Sequence, residues 1–278
     1  MNRISTLLDA IAPPRCIECN VPLSSGPGPL CPPCDRRLPW WRVVDGCPRC
    51  GTPQGVGPGD GHDPDDRVFE GCSGCLIEGS ALHGCRALVR YEGPVRRWIP
   101  GFKNARSPFG PAIAIRLAID HLAVELARRV ARETTARPDL IVSIPLHRRR
   151  ERWRGFNHVD PIARRIARNL ERPWIPDALG RVYDTRDQAT LIGRERRKNV
   201  RGAFRATRRL GSATRIWLID DVLTTGSTLD AAADALLEAG ALEVRALTLA
   251  ATLPGGWAAR RRSAYHAAHP NDRFQGSN

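Results

Sequence analysis

The chain has 278 residues, long enough for one α/β domain of about 150–200 residues with a smaller module beside it. Its 42% hydrophobic and 26% charged content excludes a largely disordered protein, and no run of about 18 uninterrupted apolar residues is present to span a membrane. Lysine and arginine total 43 against 29 acidic residues, a formal charge of +14, which fits either a footprint for phosphate or nucleic acid or an arginine-rich composition that only solvates surfaces.

Met1 to Pro14 carries neither the apolar stretch nor the small-residue cleavage site of a secretory signal, so a cytoplasmic location is expected. Eight of the nine cysteines then fall into four CxxC pairs: Cys16 and Cys19, Cys31 and Cys34, Cys47 and Cys50, Cys72 and Cys75. Two intervening residues let both thiolates of a pair face one tetrahedral ion, and a reducing compartment disfavours disulfides. The simplest arrangement closes the first four on one zinc ion and the last four on a second, a double zinc ribbon. Four thiolates leave no open position for water, so the ions are expected to be structural. Gly and Pro dominate Gly51 to Gly61, and so polar a segment needs metal to fold. No thioredoxin-like strand and helix surround any pair. Cys85 reads as a buried apolar residue, and His62 and His83 as non-ligands. Trp40 and Trp41 are expected to pack the ribbons onto the rest.

Near residue 80 the pattern changes to alternating strands and helices. This predicts a ribbon over 1–80, an α/β domain over 81–253 with a mainly parallel, Rossmann-like sheet, and a poorly ordered tail over 254–278. In chain order, Arg86 to Tyr91 reads as a strand and Pro94 to Lys103 as a short helix broken at Pro100 and Gly101. Pro111 to about Glu133 reads as a long amphipathic helix. Asp139 to Pro145 reads as a buried parallel strand, followed by a basic loop from Leu146 to Asn157 and a helix from Pro161 to Leu170. Arg215 to Ile219 is a second buried strand, Ser227 to Ala239 its helix with Gly240 as cap, and Glu243 to Leu253 the next strand.

The chemistry concentrates behind the strand at Arg215 to Ile219. Asp220 and Asp221 come first, then Val222 and Leu223, then Thr224, Thr225, Gly226, Ser227 and Thr228 opening a helix. A 5'-phosphate on that helix N-terminus meets unsatisfied N–H groups, hydroxyls and the positive end of the dipole, and Gly226 lets the backbone approach it. The carboxylates suit ribose hydroxyls and a magnesium ion shared with a pyrophosphate. No Gly-x-x-x-x-Gly-Lys string is present, which excludes a Walker loop. Arg148, Arg149, Arg150, Arg152 and Arg154 form one basic cluster, and Arg194, Arg196, Arg197 and Lys198 another. Both fit either an anionic ligand or a solvated charge run, with Arg196 expected to point inward. His147 and His158 read as hydrogen-bonding loop residues rather than acid–base groups.

In the order of its four CxxC pairs, Phe102-Lys103, Ile144 to His147, Arg154 to Asn157, Gln188, Arg196 with Asn199, Ala203-Phe204 and Ile219 to Thr228, the chain resembles the ComF family of competence-associated proteins. These join a double zinc ribbon to a type I phosphoribosyltransferase domain. The resemblance implies that Asp220 and Asp221 hold the ribose of phosphoribosyl pyrophosphate and Thr224 to Thr228 its 5'-phosphate. It also implies that the loop after Pro145 approaches the pyrophosphate and that Arg181 to Asn199 form a mobile flap. Asp220, Asp221 and Arg196 are then the candidate catalytic residues. The departures are His158 for Gln, Asn104 for an aromatic residue, and Tyr183 and Asp187 for Arg and Pro. Two functions follow as expectations. One is transfer of phosphoribose to a nitrogen acceptor. The other is a non-catalytic role in DNA uptake, with the pocket as a nucleotide sensor and the basic surface, aided by Trp40, Trp41, Trp153 or Trp174, holding single-stranded DNA or uptake proteins. The sequence lacks the N-terminal cysteine nucleophile of a glutamine-dependent enzyme.

Overall fold

The computed structural model describes residues 14–23, 28–41, 47, 49–51, 75, 79–104, 111–133, 137–182 and 202–252. In chain order its elements are helix α1 (Pro32–Arg36), strand β1 (Gly84–Arg90), helices α2 (Val95–Asn104) and α3 (Pro111–Glu133), strand β2 (Leu140–Ser143), helices α4 (Arg148–Arg154) and α5 (Val159–Leu170), strands β3 (Leu179–Arg181), β4 (Phe204–Ala206) and β5 (Arg215–Leu223), helix α6 (Ser227–Glu238) and strand β6 (Glu243–Ala251).

Strand β5 is apolar on both faces, so it has to be covered on both. Trp217 and Ile219 enter one hydrophobic cluster while Ile216 and Leu218 enter the other, the period of two that a pleated strand imposes. The sheet runs β1-β6-β5-β2 with every neighbouring pair parallel. One face is covered by α2, α3 and α5, the other by α6 and the small antiparallel pair β3-β4. Ile216 is fully buried. Its replacement by valine is expected to cost about 1 kcal/mol, read as a lower denaturation midpoint with an unchanged slope.

Four local expectations need correction. Helix α2 does not break at Pro100 and Gly101 but runs through to Asn104. Proline costs this short helix one hydrogen bond, while Val95, Trp98, Ile99 and Phe102 bury its inner face. Gly101 meanwhile lets α3 come close: a Cβ there would stand 2.6 Å from Ile115 Cδ1. Second, the basic loop after Leu146 contains α4. His147 caps it by accepting from Arg149 N, and Gly155, at φ 88°, ends it. Arginine and glutamate are good helix formers, which the reading as a charge run overlooked. Third, β5 continues through Asp220 and Asp221 to Leu223. Fourth, the three-residue strands β3 and β4 have no counterpart in the expectations, being too short to display a period.

The N-terminal ribbon shares the core of the sheet. Cys16, Leu30, Cys31 and Leu38 join the cluster of α2, α3 and α5. Trp40 bridges Val89 antiparallel at the β1 edge, with Trp41 N donating to Leu88 O at 2.9 Å and Arg90 N to Pro39 O at 2.7 Å. The Arg129 guanidinium sits 4.2 Å from the centre of the Trp40 ring, and His121 Nε2 lies 2.8 Å from Asp35 Oδ1. Among the described residues, no helix is long and apolar enough to cross a membrane. The expected tail over 254–278 lies outside the described residues.

Candidate functional site

Two tight turns bring the first four cysteines together. Asn20, at φ 60°, closes the first turn, its N–H donating to Cys16 O at 2.8 Å; Asp35 N donates to Cys31 O at 2.9 Å in the second. All four Sγ atoms lie within 4.8 Å of one another, with Cys19 and Cys31 at 3.5 Å. Sulfurs bonded at about 2.3 Å to one tetrahedral zinc ion are about 3.8 Å apart. The sulfurs compete for negative charge. Burial opposes ionisation of Cys16, yet backbone contacts from Cys31, Cys19 and Glu18 outweigh it and draw the thiol down to about 6. Burial and the neighbouring sulfurs push Cys34 up. A second group holds Cys47, Cys50 and Cys75, again within 4.8 Å, with the Cys47 and Cys75 sulfurs 4.0 Å apart. Cys72 lies outside the described residues. All-sulfur donor sets of this kind fit zinc ribbons.

At the C-terminal end of β5 the pleat separates the two carboxylates. Asp221 turns toward the α2 and α5 side and is 6% exposed. Its Oδ2 lies 2.5 Å from Lys103 Nζ, on α2, and 3.3 Å from Nε2 of His158, the residue before α5. Arg154 NH1 lies 3.0 Å from His158 Nδ1. A guanidinium only donates, so Nδ1 accepts and the neutral ring carries its proton on Nε2, facing Asp221. Burial disfavours the Asp221 charge, but His158 and Lys103 outweigh it and hold the carboxyl below its ordinary range. Asp220 is half-buried, and its Oδ1 accepts from Asp221 N at 2.8 Å. Burial, then the adjacent Asp221 charge, push it up to about 8. The pair therefore carries one charge rather than two near neutral pH, the behaviour of two carboxylates short of a cation.

Helix α6 opens on Gly226, at φ 77°, with Thr225 Oγ1 and Ser227 Oγ 3.0 Å apart. Thr224 is exposed and Thr225 half-buried on the turn, while Ser227 and Thr228 open the helix. The backbone donors and hydroxyls of this turn thus stand directly beyond the two carboxylates. On the other flank, Asn157 Nδ2 donates both to Ile144 O at 3.0 Å and to Asp160 Oδ1 at 2.8 Å, and Ser143 Oγ donates to the same Asp160 oxygen at 2.6 Å. This knits the start of α5 to the end of β2. A cleft of about 610 Å³ adjoins it, lined in part by Pro145, His147, Arg148, Asn157, Arg181 and Arg205. Arg196, with Tyr183, Asp187, Gln188, Asn199 and the cluster Arg194 to Lys198, lies outside the described residues; β3 and β4 flank that segment. Of the four tryptophans considered for stacking, Trp40, Trp41 and Trp174 are half-buried, whereas Trp153 on α4 is 68% exposed.

The double zinc ribbon domain profile matches residues 7–76, and the phosphoribosyl transferase domain profile matches residues 117–269. DNA utilization protein YhgH of Escherichia coli (strain K12) is 32% identical over 244 residues, covering 87% of this chain and 98% of that protein. Competence protein F of Haemophilus influenzae is 27% identical over 238 residues, covering 85% and 96%. The chain belongs to the ComF family. Its fold class is that of this family, a type I phosphoribosyltransferase sheet preceded by a double zinc ribbon. In the solved structure of glutamine phosphoribosylpyrophosphate amidotransferase from B. subtilis, 30% of that chain aligns with 53% of this one, at 20% identity and a TM-score of 0.36, a likeness too partial to carry an argument.

Within this ComF-family chain, sequence reasoning missed how Lys103, His158 and Arg154 converge on Asp221. Lys103 stood in the Phe102-Lys103 station, but nothing local to α2 says that its ammonium reaches the end of β5. For His158 the signal was its place directly after Gly155 to Asn157, a turn that the Asn157 side chain fixes.

Proposed function

We propose that the chain binds phosphoribosyl pyrophosphate with magnesium at the C-terminal ends of β5 and β2 and transfers its phosphoribosyl group to a nitrogen acceptor, in the cytoplasm and in the service of DNA uptake. The observation that carries this reading is the carboxylate pair of split character, Asp221 held ionised by Lys103 and His158 and Asp220 half-buried beside it, at the mouth of the Thr224 to Thr228 turn. Thr224, Thr225, Gly226, Ser227 and Thr228 hold the 5'-phosphate through N–H groups, hydroxyls and the α6 dipole. Asp220 and Asp221 accept from the ribose hydroxyls and fix the sugar. In the transfer, the bond from the anomeric carbon to pyrophosphate breaks as the bond to nitrogen forms, and the nitrogen loses a proton. Magnesium, when bound, offsets charge on the departing pyrophosphate. The cleft arginines Arg148 and Arg181, with Arg196 from the flap, add to that electrostatic stabilisation. Two structural zinc ions complete the fold, one on Cys16, Cys19, Cys31 and Cys34, the other on Cys47, Cys50, Cys72 and Cys75. They belong to a module over 1–80, ahead of the transferase domain over 81–253 and the tail over 254–278.

Asp220 supplies a pH test. Its folded pKa of about 8 keeps it protonated at neutral pH, so a ligand that needs its ionised form binds with proton release. Affinity for magnesium phosphoribosyl pyrophosphate is expected to rise with pH through about 8 and then level, seen by calorimetry in buffers of different ionisation enthalpy. A flat profile from about pH 6.5 to about 9 would remove Asp220 from the site. The same shift works against stability: between the ordinary carboxyl pKa and about 8 the folded state holds the extra proton, so this group's contribution falls as pH rises across that window. Asp221 contributes oppositely, losing stability only in acid.

A second reading, that the chain is a non-catalytic binder of single-stranded DNA, is favoured by one observation. Exposed Trp153 stands on α4 among Arg148, Arg149, Arg150, Arg152 and Arg154, an aromatic face set in positive charge. If α4 carries a strand, Trp153→Ala lowers affinity for an oligonucleotide by roughly tenfold, and binding weakens steeply with salt. An unchanged affinity in that variant takes α4 out of any nucleic-acid surface.

A further inference from the structure

The third cysteine knuckle, Cys47 and Cys50, does not stand apart from the phosphate-loop region but against it. Gly51, directly after Cys50, adopts φ 70°, and its N–H donates to Cys47 O at 2.8 Å. A Cβ on Gly51 would stand 2.7 Å from Cys85 Sγ and 2.8 Å from Leu223 Cδ2, and one on Gly226 would stand 3.4 Å from Cys50 O. Leu223 is the last residue of β5 and Gly226 the residue that opens α6. Both glycines adopt the left-handed conformation; Gly51 has no room for a side chain, and a Cβ on Gly226 would rest in van der Waals contact with the Cys50 carbonyl. Cys85, on β1, is 5% exposed and fills the space between the knuckle and the sheet. Cys47 and Cys50 are themselves buried. The backbone of the knuckle is therefore held where the turn from Leu223 to Gly226 must pass.

We infer that Cys50 and Gly51 are positioning residues for the phosphate loop: the metal-closed third knuckle braces Leu223 to Gly226, so that metal at this cluster and a phosphate ester at the loop stabilise one another. The inference rests on reading the Thr224 to Thr228 turn as the phosphate site. Linkage makes the coupling reciprocal. Whatever factor the metal adds to ligand affinity, the ligand adds to metal affinity, and couplings of this kind run from about 5-fold to about 150-fold. The chain's own atoms carry the effect. Loss of the knuckle frees the Cys50 carbonyl and Gly51 to move, Leu223 loses the neighbour that packs against its Cδ2, and the turn gains conformations that do not hold a phosphate.

The test uses the full zinc-loaded chain and a glycine substitution that leaves all eight knuckle cysteines in place. Gly51→Ala is compared with Gly79→Ala, which has the same backbone strain, φ 74°, but nothing within 4 Å of the added Cβ. With zinc content by atomic emission unchanged, Gly51→Ala is expected to weaken magnesium phosphoribosyl pyrophosphate binding about tenfold, and Gly79→Ala to leave it within about twofold. In the wild type, the same ligand is expected to slow chelator-driven zinc release from one of the two clusters by a similar factor. Unchanged affinity in Gly51→Ala, or zinc release indifferent to a ligand shown calorimetrically to bind, overturns the inference. If Gly51→Ala fails to fold, Gly226→Val approaches the contact from the other side. Faster zinc release from its second cluster supports the brace, and an unchanged rate overturns it. If the wild type binds no phosphoribosyl pyrophosphate at all, the proposed function fails and the brace is read alone. Faster amide exchange at Leu223 to Thr228 after chelation then supports it, and unaltered exchange overturns it.

Discussion

Replacing Lys103 by methionine is expected to lower stability by about 3 kcal/mol at neutral pH, because it leaves Asp221 ionised and buried with only His158, at 3.3 Å, to offset its charge. Methionine keeps the length and apolar stem of lysine, so the loss reports charge rather than packing. The ion pair makes the effect pH-dependent. Without Lys103 the Asp221 carboxyl loses part of what holds it below its ordinary range, takes up a proton more easily, and the deficit against wild type narrows as the solution is made acidic. A double-mutant cycle separates the pair from its surroundings. Adding Asp221→Asn to Lys103→Met is expected to cost far less than the sum of the single changes, with a coupling energy of about 2 kcal/mol from urea denaturation. Additive costs would mean that the 2.5 Å approach has no energetic consequence, and the assignment of Lys103 to the site would fall with it.

The larger effect belongs to the first cysteine cluster. Cys31→Ser is expected to reduce zinc from two ions per chain to one, by atomic emission, and to unfold the ribbon rather than loosen it, since a structural zinc site is worth about 10–16 kcal/mol in small peptides at neutral pH. The damage should not stay in the ribbon. Leu30 and Leu38 are buried in the same cluster as Leu88, Leu122 and Trp217, and Trp40 docks on the edge of β1 beneath Arg129. Loss of the ribbon exposes apolar surface of α3 and the sheet edge, so the main domain is expected to melt at lower temperature and to become sensitive to protease near residue 40. A variant that loses one zinc ion but keeps the wild-type melting temperature would show that the shared core contributes nothing.

What the sequence made legible was local. The knuckle spacing marks the cysteine groups without any tertiary information, because two residues between thiols suffice to set a metal-binding turn. Strand β5, the turn at Gly226 and helix α6 are readable because an apolar run, two carboxylates and a hydroxyl-rich helix start occur in unbroken succession. The parallel sheet follows from the alternation of strands and helices. The convergence on Asp221 was not legible, because Lys103, Arg154 and His158 come from separate elements that only the packing of α2 and α5 against the sheet brings together. Helix α4 was hidden by its composition, since a run of arginines looks the same on a loop and on a helix. Strands β3 and β4 were hidden by their length. The contact of Gly51 with Leu223 was beyond reach for the same reason as the carboxylate network: each glycine has an adequate local explanation as a turn residue, and only the fold sets one knuckle against the end of β5.

The central claim, that this end of the sheet holds phosphoribosyl pyrophosphate, is tested most directly by titrating the zinc-loaded protein calorimetrically with that ligand and magnesium, beside the Asp220→Ala, Asp221→Ala double variant at equal zinc content. The account predicts saturable one-site binding by the wild type and none by the variant. No binding by either protein, or equal binding by both, would contradict it.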